Sequence, residues 1–184
     1  MPRNPIIGTG VGSGIGSGIG SGIRIVLGIL VAYLVIAVCV LIGLTALYRV
    51  LGPEGAFARG TYEITTTWAV SAVAINLVAA LIGGAAGLRL TRTLRAVEIF
   101  ALIVFVLGAL LAVPVILTGA PEPVSRPEEI GMLEAILDAR QPVWFVVLNP
   151  FIAAAGILIG AHLMRRVRPA RGARGAVGSR RGSG

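Results

Sequence analysis

The residues of this chain that could do chemistry are few, and most of them sit within apolar runs. Two asparagines, Asn76 and Asn149, each open a similar stretch. Residues 76–92 read NLVAALIGGAAGLRLTR and residues 149–165 read NPFIAAAGILIGAHLMR, so Asn76/Asn149, Ala80/Ala153, Gly83/Gly156, Gly87/Gly160, Leu90/Leu163 and Arg92/Arg165 coincide. At about 100° per residue, helical offsets of 0, 4, 7 and 11 span an arc of about 60°, so each asparagine, alanine and glycine set forms one narrow stripe. A carboxamide in hydrocarbon needs a hydrogen-bond partner, and an interhelical pair is worth on the order of 1 kcal/mol. Asn76 and Asn149 are therefore expected either to fix helix register or to line a polar path. Pro150, directly after Asn149, removes a backbone donor and frees the carbonyl of Val146 at the same level.

The remaining candidates point away from catalysis. Glu98 stands three residues after Arg95, which fits an interfacial ion pair better than a proton relay. His162 lies about one turn from the end of the last apolar segment, where snorkelling to headgroups is the ordinary role. The acids Glu122, Glu128, Glu129, Glu134 and Asp138 could gather a divalent cation, but their helical distribution fits a solvated face. With one cysteine, Cys39, and one histidine, neither an intramolecular disulfide nor a zinc-type ligand set can form. No serine, cysteine and histidine combination offers a nucleophile with a base, and the glycine-rich start lacks the lysine of a phosphate loop. The expectation is a protein that is not an enzyme and holds no cofactor or metal.

The elements that must position these residues follow from composition. Of 184 residues 56% are hydrophobic and 13% charged, with mean hydropathy +0.92, so the bilayer is the solvent. Four apolar segments, about 23–51, 68–90, 97–117 and 142–164, are long enough to cross it. Gly52 and Pro53 close the first. The run TYEITTT after it has β-branched character but no evident pairing partner, and reads as an extended loop. Pro114 should kink or shorten the third span. In the second long loop Ser125, Pro127 and Glu128 make a helix start, and Ile130, Leu133, Ile136 and Leu137 then share one face to about Ala139. That pattern is a short amphipathic helix on the membrane surface, with Trp144 marking the interface beyond it.

The ends are of different composition. Residues 1–22 read as a flexible Gly/Ser/Ile-rich arm, because glycine loses the most entropy on ordering. Ile7, Val11, Ile15, Ile19 and Ile23, every four residues beside GxxxG spacing, offer a competing reading, in which helices of several copies pack closely. Residues 165–184 form a disordered Arg/Gly-rich tail whose charge suits anionic headgroups. It lacks the aromatic residues that stack on bases, so no specific nucleic acid is expected.

Charge sets the topology. The amino arm, the turn holding Arg89, Arg92 and Arg95, and the tail with Arg165, Arg166 and Arg168 carry twelve arginines and one acid, whereas the opposite loops carry four arginines and seven acids. By the positive-inside rule both termini are cytoplasmic, with these arginines as headgroup and topology anchors. The use of arginine for all sixteen basic residues hints at a GC-rich genome and hence the inner membrane of a bacterium. Arg24 and Arg95 begin comparable segments at an offset of 71, against 73 for the asparagines, which suggests a duplicated hairpin.

The fold expected is therefore an all-α membrane protein of four transmembrane helices, built as two parallel-repeat helical hairpins with a short amphipathic helix in the second outer loop. Lipid gives helices no hydrophobic drive to associate, so Gly83, Gly87, Gly156, Gly160, Ala80 and Ala153 are the expected packing residues. The leading functional expectation is a non-enzymatic accessory or structural subunit, acting as a homo-oligomer or within a larger membrane complex. The alternatives are a channel or facilitator for a small neutral solute along Asn76 and Asn149, and an envelope sensor using the outer acidic helix.

Overall fold

In hydrocarbon every backbone N–H and C=O must be satisfied within the protein, and a helix does this within a single segment. The computed structural model describes residues 15–118 and 139–167, with side chains from residue 22 onward. It contains four helices, α1 Ile15–Ala56, α2 Thr66–Thr91, α3 Leu94–Thr118 and α4 Val143–Val167, each long and apolar enough to cross a membrane. Among the described residues no strand forms, and the protein is an all-α, multi-pass membrane protein.

Helix α1 is continuous to Gly52, whose φ of 65° and ψ of 177° break it, and Pro53 then begins a last short turn. The stop expected at this pair is present. At its start, however, α1 reaches back to Ile15, so the end of the arm expected to be flexible is helical. Extending an existing helix adds one hydrogen bond per residue fixed and avoids the cost of nucleation, which offsets the poor propensity of glycine.

Helix α2 begins two residues before the expected Trp68 because Thr65 caps it. The Thr65 hydroxyl accepts from the Trp68 backbone N–H at 3.1 Å and donates to the Gly55 carbonyl at 2.6 Å. At the other end Arg92 adopts a left-handed φ of 61°, and its N–H closes on the Leu88 carbonyl at 2.9 Å. Helix α3 continues through Pro114 to Thr118, so the shortening expected there does not occur. The Thr118 hydroxyl donates to the Pro114 carbonyl at 2.8 Å.

The TYEITTT loop does find partners. Ile64 bridges Phe57 in antiparallel sense and Glu63 bridges Arg140 in parallel sense. Arg140 N–H donates to the Tyr62 carbonyl at 2.9 Å, and Ile64 N–H donates to the Arg140 carbonyl at 3.2 Å. The partner segment lies 77 residues on in the chain, too far for local pattern to show. Phe57 and Trp68 are buried beneath this loop against Leu44, Leu47 and Tyr48 of α1. The amphipathic helix expected up to Ala139 and the acids from Glu122 to Asp138 lie outside the described residues.

Helices α2 and α4 lie side by side at the centre, with α1 packed on α2 and α3 on α4. Contacting residues advance together, Asn76 with Asn149, Ala80 with Gly156 and Leu81 with Gly160, so the two central helices run parallel. A buried cluster including Ala32, Leu88, Val97, Phe100, Ile157 and Ala161 joins all four helices toward the end that carries Arg89, Arg92, Arg95 and Arg165.

Candidate functional site

The site is built where α2 and α4 cross. Asn76 lies on the third turn of α2 and Asn149 on the second turn of α4, just before Pro150. The Asn76 Nδ2 donates to Asn149 Oδ1 at 2.9 Å. Both residues are half-buried. The proline ring after Asn149 fits because α3 presents Gly108 to it, and a methyl group there would come within 2.9 Å of Pro150 Cγ.

The asparagine pair forms part of the wall of an open space. A cavity of about 540 Å³ reaches from Arg140 and Gln141 down to Asn149 and Ala153, beside Val104 of α3 and Tyr33 of α1. A second, of about 470 Å³, lies against α1 and includes Thr45, Asn76 and Asn149. The two share Tyr33, Val104, Asn149 and Ala153, and together form a cleft between α1 and α3 with α2 and α4 as its back wall. Toward the arginine end Ala32 and Val97 come together beside Gly87, and Phe100 and Ile157 are buried in the same cluster. The cleft thus runs down from the loop end, is open along its flank where Tyr33, Leu41, Leu107 and Leu111 are exposed, and is stopped by a packed apolar cluster.

The expected packing residues divide. Gly83 faces α1, where a Cβ would overlap Ile36, whereas Gly156 faces α2, where it would lie 2.6 Å from the Ala80 Cβ. A Cβ on Gly160 would overlap the Leu81 carbonyl, but on Gly87 it would make an ordinary 3.4 Å contact with Ala32. Ala80 is buried, while Ala153 is half-exposed and lines the cleft instead of sealing an interface. Positions that coincide in the two stretches therefore meet different neighbours. An approach as close as that of Gly160 involves a residue outside the shared pattern, Gly84, whose added Cβ would overlap the Ile157 carbonyl.

Arg89, Arg92, Arg95, Arg165 and Arg166 are exposed at one end of the bundle, and Arg168 lies outside the described residues. His162 is exposed on the last turns of α4, its Nδ1 2.8 Å from the Leu158 carbonyl. Glu98 is exposed on α3. Among the described residues no three His, Cys, Asp or Glu side chains gather as a metal site would require.

Three residues of the site carried little signal in the sequence. Tyr33 reads as one more apolar residue, although its offset of 71 from Val104 matches that of Arg24 from Arg95. Arg140 reads as a loop charge, yet it lines the larger cavity. Gly84 was obscured because its counterpart is Ile157. Comparison of the chain with protein-family models, curated proteins and solved structures finds no match.

Proposed function

We propose that this protein admits a small, weakly polar solute into the cleft between its hairpins, as a binding site or facilitator in a bacterial inner membrane. With the arginine end cytoplasmic by the positive-inside rule, the cleft faces outward and the apolar cluster closes it from the cytoplasm. The observation that carries the reading is that Asn76 and Asn149, bonded to each other, both line the cavity against α1. A purely structural pair needs no open volume beside it, and pockets of this size suit small ligands. The matched positions of the two asparagines support a duplicated hairpin, in which the repeat interface would be the natural place for a solute.

Labelling from the outer face tests this directly. In a Cys39→Ser background, Ala153→Cys in sealed vesicles should react with a membrane-impermeant thiol reagent from the outer side, and Ala161→Cys, at 0% exposure, should not. No reaction at Ala153→Cys would remove the reading. The double substitution Asn76→Leu with Asn149→Leu should then lower permeation of small uncharged solutes.

Association with a partner is a second reading, and one observation favours it. Helix α1, from Ile15 to its break at Gly52, is longer than the roughly 30 Å hydrocarbon core needs. Its start would project from the cytoplasmic face. The glycines within α2 and α4 do not add to this reading, because Gly83, Gly84, Gly156 and Gly160 are all occupied by contacts within one chain.

A further inference from the structure

We infer that the cleft takes a single-chain amphiphile with an anionic head, the head at Arg140 and the chain running down the apolar wall toward Tyr33. The inference rests on the cleft being a ligand site, as argued above, and departs from the small, weakly polar solute named there in the class of ligand. Its basis is the state of Arg140. Its backbone is held on both sides, N–H to Tyr62 and C=O to Ile64, so the residue is fixed at the mouth. Its side chain lines the larger cavity, and Nη1 is shut off from solvent with no hydrogen-bond partner among the described residues. Arg140 as a whole is half-buried, and one enclosed donor of its guanidinium left without an acceptor is costly until an acceptor arrives.

The rest of the wall sets the other half of the ligand. Below Arg140 the cavity is bounded by Leu111, Leu107 and Val104, a strip along one face of α3. From Val146 to Ala153 the cleft descends seven residues of α4, or about 10 Å. Asn149 interrupts this apolar path once. A cation at the mouth above a long apolar groove complements an oxyanion on a hydrocarbon chain. It does not complement a small hydrophilic ion, which would leave the groove unfilled, or a cationic amphiphile, which would meet Arg140. The planar guanidinium fork accepts a carboxylate or a phosphate equally well, so a free fatty carboxylate and a single-chain anionic phospholipid are two sources of the same chemistry.

The test uses the full chain in vesicles of zwitterionic lipid with spin-labelled dodecanoate, the immobilised fraction being read by electron paramagnetic resonance. An immobilised component is expected, with affinity reduced about tenfold or more in Arg140→Gln. The methyl ester of the same probe should bind equally to both proteins, which also checks that the variant folds. Competition by unlabelled dodecanoate and by lysophosphatidylglycerol distinguishes the two sources. Displacement by lysophosphatidylcholine as effective as either overturns the inference, as does equal dodecanoate binding by wild type and Arg140→Gln. Absence of immobilised probe while Ala153→Cys is labelled from outside overturns this inference and leaves the cleft itself in place.

Discussion

The Nδ2 of Asn76 donates a 2.9 Å hydrogen bond to the Oδ1 of Asn149, joining two positions 73 residues apart at the crossing of the central helices. Each amide is the other's partner on the wall of the cleft, and a bond of this size sets register more than it adds stability. In a double-mutant cycle with Asn76→Leu and Asn149→Leu, the coupling should be about 0.5–1.5 kcal/mol. Unfolding of the four proteins in mixed micelles measures it, and independent effects of the two substitutions would mean the bond does not form.

Glycines of the two stretches should respond differently to alanine. Gly84→Ala and Gly160→Ala each drive a methyl group into a carbonyl of the facing helix, an overpacking expected to cost about 1–3 kcal/mol or more. Gly87→Ala has room and gains helix propensity, so it should be neutral or stabilising by up to about 1 kcal/mol. Thermal unfolding in detergent ranks the three. A destabilised Gly87→Ala with a tolerated Gly160→Ala would contradict the packing.

Thr65 links the end of one hairpin helix to the start of the next. Its hydroxyl both caps α2 at Trp68 and reaches the Gly55 carbonyl. Thr65→Ala should cost about 1–2 kcal/mol, and Thr65→Ser should recover most of it because the hydroxyl alone makes both bonds. Equal losses for alanine and serine would show that the methyl group carries the effect.

Arg92 holds a left-handed conformation that a side chain disfavours. Arg92→Gly should stabilise the protein by about 1 kcal/mol, and Arg92→Val should destabilise it by more than that, since β-branching worsens the strain. Both remove the same charge, so a difference in melting temperature between them isolates the backbone. Identical melting temperatures would argue that charge at the turn matters more.

Much of the fold was legible in residues 23–164 because hydrocarbon leaves so few choices. Runs of more than twenty apolar residues must be helical, and Gly52 with Pro53 must end the first. Single residues also gave the ends of α2 and α3 to within about three positions. What misled was local reasoning about non-local partners. The TYEITTT run pairs locally with Phe57 through Ile64, and its other backbone partner is Arg140, far along the chain. The glycine pattern was read as one packing surface in two copies, but a helix face meets whichever neighbour lies against it, and α2 has α1 where α4 has α2 itself.

The sequence by itself therefore determined the solvent, the number of spans and the alignment of Asn76 with Asn149, since hydrophobicity and helical periodicity are local properties. Only the tertiary structure decided that the two amides bond, that Gly84 and Gly160 and not Gly87 make the closest approaches, and that Tyr33, Asn149 and Arg140 border one cleft. Those outcomes depend on how four helices divide a small number of faces among themselves. In a bilayer, where all helices are equally apolar, shape and not hydrophobicity makes that division.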